Sequence, residues 1–232
     1  MKRPLEKTFY PLVEKWMRRH FGCFRTAVNK GLRLGRIDII GVRDIGGDLS
    51  GEVETIAIEV KRGACPFANG CGQALGYNTY ANRIYLADWR EESFSRDELH
   101  IASHLGIGLI QIRGKRGDRC NEVVSSPFYR PITKLNLGLL ESLCLGRCQL
   151  CGCFFEIGDA KTDNRFSRVA REKVAKAVSN EKGLIFWNRE VADRKNKVGI
   201  RSVKDGSTYE RRYICPDCIY HVIGQLLPDK NA

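Results

Sequence analysis

The stretch RIDIIGVRDIGGDLSGEVETIAIEVK, residues 36–61, decides the fold. Two apolar runs, 36–43 and 53–61, flank a segment carrying Gly46, Gly47, Asp48, Ser50 and Gly51, which is the composition of a hairpin turn. With a turn symmetric about Asp48 and Leu49, Asp38 faces Glu59 directly, and directly opposed residues share one face of a sheet. Lys61 is two residues beyond Glu59, so strand alternation puts it on that face as well. The neighbours Ile37, Ile39, Ile40, Ile56, Ile58 and Val60 are all apolar. Two carboxylates and an ammonium in such surroundings are costly unless something compensates them. A hard cation would do so, taking oxygen from Asp38, Glu59 and the Val60 carbonyl while keeping several waters. That donor set suits Mg²⁺, with Mn²⁺ as a substitute. The alternative is a buried ion pair between Lys61 and one acid, or a charged strand end that reaches solvent.

Working outward, Leu12, Val13, Trp16, Met17 and Phe21 recur at helical spacing over residues 11–21. A short apolar segment at 23–28 reads as a strand before the hairpin. Residues 70–82, with Gly72, Gln73, Ala74, Leu75 and Tyr77, read as a helix packed across the sheet. A strand at 83–87, a helix at 91–105 and a buried strand at 108–112 complete the order α-β-β-β-α-β-α-β. The expected class is α/β, a mixed central sheet flanked by helices. His100 and His104 stand one turn apart without a carboxylate signature and read as helix-surface residues.

The chain has 232 residues, 43% hydrophobic and 28% charged, which excludes a largely disordered chain. No apolar run reaches the ~20 residues of a membrane helix, and no apolar stretch follows Lys2 and Arg3 as a signal peptide would require. The expectation is an intracellular, reducing compartment without a membrane partner. The 39 Lys and Arg against 27 Asp and Glu give a formal charge of +12, which favours a polyanion, above all nucleic acid.

At this point the chain resembles the PD-(D/E)xK nuclease superfamily, the restriction-endonuclease-like fold. Ile37-Asp38 and Glu59-Val60-Lys61 stand as its two signature segments over roughly residues 5–113, with Ile37 in place of the proline. The resemblance implies that Asp38 and Glu59 bind a catalytic metal and that Lys61 orients or activates the attacking water. It also implies a further metal ligand on the first helix, for which Glu14 is the candidate and Glu6 its competitor. Gln73 and Tyr77 match a Gln and an aromatic that some members carry beside the site. The implied activity is metal-dependent hydrolysis of DNA, with RNA left open by the charge. The favoured subclass is a restriction-type enzyme, against a structure-selective repair or recombination nuclease, or a DNA-binding protein that does not cut. A homodimer would follow if both strands are cut.

The last third of the chain carries Cys148-x2-Cys151 and Cys215-x2-Cys218, two knuckles of zinc-binding spacing. Four cysteines make a closed tetrahedral site, so the expected Zn²⁺ is structural. The 63 residues between Cys151 and Cys215 must then fold as an insertion, and Cys144, Cys153 or His221 stands near enough to replace one ligand. The insertion contains an amphipathic helix over 165–181. Arg165, Arg168, Arg171, Arg189, Arg194, Lys195 and Lys197 supply candidate phosphate contacts. The expected organisation is a nuclease core over 1–120, a connector with a helix near 135–143 over 121–145, and a zinc module with a basic helical insertion over 146–232.

Overall fold

A computed structural model describes residues 5–32, 35–46, 52–63, 65–114, 119–148, 151–156, 199–202 and 210–213. After a short 3-10 turn at Glu6–Thr8 come α1 (Tyr10–His20), β1 (Arg25–Leu32), β2 (Gly35–Asp44) and β3 (Val53–Lys61). Next are α2 (Phe67–Gly76), a 3-10 turn at Tyr77–Thr79, β4 (Arg83–Trp89), α3 (Arg96–Leu105) and β5 (Gly108–Arg113). β6 (Arg119–Val124) and α4 (Thr133–Ser142) follow. The expected α-β-β-β-α-β-α-β order is therefore present. The chain divides into two units by compactness, with the boundary between Leu139 and Leu140.

In the first unit the six strands form one mixed sheet in sequence order. β1, β2 and β3 are antiparallel neighbours, β3, β4 and β5 are parallel, and β6 returns antiparallel to β5. β3 is central and buried along nearly its whole length, which is why its apolar run is continuous. Alternation divides its side chains between two cores. Ile56, Ile58 and Val60 join Phe9, Tyr10, Val13 and Met17 of the α1 side. On the other face Cys71 and Ala74 of α2 and Ala102 of α3 pack on Ile84, Leu86 and Leu109. The sheet is thus flanked by helices on both faces. Gly41 allows α1 to approach, because a Cβ there would stand 2.4 Å from the Met17 sulfur and 2.7 Å from that of Cys23.

Two boundaries depart from the sequence reading. β6, in the stretch read as the end of the core and the start of a connector, extends the sheet as an edge strand. Its side chains alternate only between exposed and half-buried, and it carries no apolar stripe to announce itself. The helix expected over 91–105 begins at Arg96, because Ser95 and Glu98 close a capping box.

Glu98 has a second partner. Arg90 grips its carboxylate with two bonds of 2.8 and 2.9 Å and also reaches Asp88 at 3.2 Å. The Arg90 bonds hold the Glu98 carboxyl down at about 2, from an ordinary 4.5. A depressed carboxylate stabilises the fold above its unfolded pKa and loses that contribution as pH falls through the folded one. Solvent screening discounts that shift at a partly exposed pair, so Glu98→Gln should cost about 1 kcal/mol at neutral pH. The gap between variant and wild type in urea melts should close as pH falls from about 4.5 to about 2.

In the second unit β7 (Leu145–Arg147) pairs with β8 (Phe154–Glu156), and β9 (Gly199–Ser202) pairs with β10 (Glu210–Tyr213), both antiparallel. The β7–β8 connection carries Cys148, Cys151 and Cys153. The Cys148 amide donates to the Cys153 carbonyl at 2.8 Å, and the Gly152 amide to the Cys148 carbonyl at 3.0 Å. These bonds draw Cys148 and residues 151–153 together at a hairpin end. Cys215, Cys218, His221, the helix read over 165–181, and Arg165, Arg168, Arg171, Arg189, Arg194, Lys195 and Lys197 lie outside the described residues. Among the described residues no helix is long and apolar enough to cross a membrane.

Candidate active site

The hairpin register places the site. Ile39 faces Ile58 and Asp44 faces Val53, pairs centred between Asp48 and Leu49, so the next pair outward is Asp38 with Glu59. At this end of β3 the chain leaves the sheet toward α2. Gly63 makes that departure with φ +68°, and its amide donates to the Asp88 carboxylate at 2.7 Å. A Cβ at Gly63 would meet the Trp89 carbonyl oxygen at 2.6 Å, so the bend after Lys61 needs glycine.

Asp38, Glu59 and Lys61 line one cleft of about 490 Å³ together with Glu6, Gly35, Arg36, Gly72, Gln73, Gly76 and Tyr77. Glu59 is central to it. Its carboxylate is hydrogen-bonded by the Lys61 ammonium on one oxygen and by the Tyr77 hydroxyl on the other. Its side chain is only 6% exposed. Asp38 receives the Tyr10 hydroxyl on Oδ1 at 2.6 Å and the Val60 amide on Oδ2 at 2.9 Å. Lys61 also stands 4.0 Å from Glu6.

Burial raises the Glu59 pKa, the negative charge of Asp38 adds to the rise, and the Lys61 and Tyr77 hydrogen bonds only moderate it. Burial works against the charged form of Lys61, yet its bond to Glu59 and the charges of Glu59, Glu6 and Asp38 outweigh that and raise its pKa. Burial and the Glu59 bond likewise push the Tyr77 hydroxyl far above its ordinary range. The site thus sets a buried carboxylate and one firmly protonated amine against an open cleft.

These residues fit a hard divalent cation. Each of the four carboxylate oxygens of Asp38 and Glu59 accepts one hydrogen bond. A carboxylate offers about four acceptor directions, so each oxygen keeps one for a ligand. Among the described residues no cluster of three or more His, Cys, Asp or Glu could hold a metal. Two carboxylates with water and substrate oxygens completing the shell is the arrangement Mg²⁺ commonly accepts.

The structure brings Asp38, Glu59, Lys61, Gln73 and Tyr77 together as the sequence suggested, but not Glu14. Glu14 accepts from Thr26 and from Arg18 at 3.2 Å and is absent from the cleft lining. Thr26 pairs with Gly41 on β2, three residues from Asp38 and so roughly 10 Å along the sheet. Glu6, its competitor, lines the cleft in its place. Sequence reasoning also missed Tyr10. The signal was the period itself, since Tyr10 belongs to the stripe of Val13 and Met17 that faces the sheet.

Gly72 is a contrasting glycine. It is an α2 residue with nothing within 4 Å of a built Cβ, whereas Gly70 packs on Leu86 and Lys61. Neither packing nor backbone geometry requires glycine at 72, and a helix-interior glycine costs up to about 1 kcal/mol against alanine. Gly72→Ala should raise stability by about 0.4–1 kcal/mol in denaturant melts. A loss of stability would show a packing role there.

No protein-family model matches the chain, and none of the curated proteins matches it. Among solved structures the chain is similar to SfsA of Pyrococcus furiosus, determined in complex with Ca²⁺. The identity is 11% and the TM-score 0.29, over 50% of this chain and 61% of that one. The chain thus spans less than two thirds of that protein's length.

Proposed function

We propose that the chain is a divalent-metal-dependent DNA endonuclease with Asp38, Glu59 and Lys61 as its catalytic group. The observation that supports it best is the meeting of these three side chains, from adjacent strands, in one open cleft. The formal charge of +12 supports a polyanionic substrate.

Asp38 and Glu59 would hold Mg²⁺, with the Val60 carbonyl as a further oxygen ligand and Mn²⁺ as a substitute. When bound, the ion supplies charge neutralisation at the scissile phosphate and a water of lowered pKa. Lys61, kept charged by Glu59, faces the same space and stabilises negative charge that develops on the phosphate. Tyr77 fixes the second Glu59 oxygen, so Glu59 cannot swing to follow Lys61. Gln73, on the exposed face of α2, is placed to orient water or a phosphate oxygen.

In the second unit we read a structural Zn²⁺ on Cys148, Cys151, Cys215 and Cys218. The backbone bond from Gly152 to Cys148, which brings Cys151 near Cys148, supports the first half of that site. The basic residues of the insertion then grip DNA for the core to cut, as a restriction-type enzyme carrying its own recognition element would. One zinc per chain, lost in Cys148→Ala, is the expected metal analysis. A full complement of zinc in that variant would contradict the assignment.

Supercoiled plasmid tests the activity. Nicked or linear product in Mg²⁺, and none with chelator, is expected. Binding without cleavage in any divalent cation would reduce the chain to a DNA-binding protein, and cleavage of RNA alone would replace the substrate. Mapped ends at one sequence would support the restriction reading, whereas cuts at junctions or flaps would favour a structure-selective nuclease.

A further inference from the structure

We infer that Tyr10 is a positioning residue for the cation site, holding the Asp38 carboxylate in the orientation that binds metal. This rests on the reading of Asp38 as a ligand. The two Asp38 oxygens are fixed from different elements, Oδ1 by the Tyr10 hydroxyl of α1 at 2.6 Å and Oδ2 by the Val60 amide of β3 at 2.9 Å. Either bond alone would let the carboxylate turn about its last torsion, and together they fix its plane. The free lone-pair directions are then fixed as well. A separation of 2.6 Å lies in the range of charge-assisted O–H···O⁻ bonds, the stronger kind.

The ring carrying that hydroxyl is itself held. Tyr10 is 7% exposed and packs in the core with Phe9, Val13 and Met17. A tyrosine has only two side-chain torsions, so the packed ring places its oxygen with little freedom. Helix α1 thus contributes an orienting phenol, while its carboxylate Glu14 points to Thr26. Partners of this kind commonly change metal affinity by 10–100-fold when removed.

Tyr10→Phe deletes the hydroxyl and keeps the ring. Tyr85→Phe is a matched control, since Tyr85 donates to the Glu122 carboxylate at 2.9 Å in the same way but outside the cleft. Mn²⁺ binding to the full chain, measured by calorimetry, should weaken about tenfold or more in Tyr10→Phe. It should stay within about twofold of wild type in Tyr85→Phe, and any cleavage lost in Tyr10→Phe should return at higher Mg²⁺. Unchanged Mn²⁺ affinity in Tyr10→Phe, or equal weakening in both variants, would overturn the inference. A wild-type chain that binds no Mn²⁺ would instead remove the cation site itself, and this role with it.

Discussion

Asp38→Asn and Lys61→Met proteins should leave plasmid uncut under conditions where the wild type cleaves, a loss of at least about a hundredfold in rate. Both substitutions keep the side-chain volume and remove the charge. Asp38→Asn takes a negative ligand from a site where Glu59 already resists ionisation through burial. Lys61→Met removes the amine that bonds Glu59 and lines the cleft, and its stem can still pack beside Gly70. Binding of a short duplex, followed by fluorescence anisotropy, should survive in both, because the positive charge that attracts DNA is spread over the chain. The residues up to 140 carry 22 basic and 15 acidic groups, and the remainder 17 and 12. Full cleavage by either folded variant would refute the assignment.

Glu54→Ala should give the largest stability loss outside the site, about 3 kcal/mol or more in urea melts. Glu54 is 2% exposed and accepts from Arg43 on one oxygen and from Arg83, at 2.7 Å, on the other. Removing it leaves two guanidinium groups, 28% and 25% exposed, facing each other with no carboxylate between them. That partial exposure keeps the cost toward the lower end for a broken buried pair. Glu54 is five residues from Glu59 along β3, roughly 16 Å at strand rise. The cleavage rate of the folded variant, assayed well below its melting temperature, should therefore match wild type. A rate loss as large as that of Lys61→Met would mean that the two ends of β3 are coupled.

The hairpin was legible because two constraints coincided. A glycine-rich turn fixed its midpoint, and the period of two then left no freedom over which residues met across it. Alternation alone put Lys61 beside Glu59. Helix α1 was legible as a helix but not in its detailed aim. Tyr10 and Glu14 lie one turn apart on the same side, and which of them meets β2 at Asp38 depends on where the helix crosses the sheet. Gly41 admits the Met17 sulfur, which settles that crossing, and nothing in the helix's own periodicity reveals it. β6 was hidden for a different reason. An edge strand that is half solvated needs no apolar stripe, so residues 119–124 were divided between the end of the core and the start of the connector. Ser95 and Glu98 did signal the true start of α3, inside the helix read over 91–105. Phe94 is buried against the α2 side without being helical.

The most direct test is the position of Mn²⁺ in crystals of the full chain soaked in the ion and read by its anomalous scattering. An anomalous peak within about 2.0–2.6 Å of a carboxylate oxygen of both Asp38 and Glu59 is the predicted result. Mn²⁺ bound elsewhere on a chain that cleaves DNA, with these two carboxylates still engaged only by Tyr10, Val60, Lys61 and Tyr77, would contradict it.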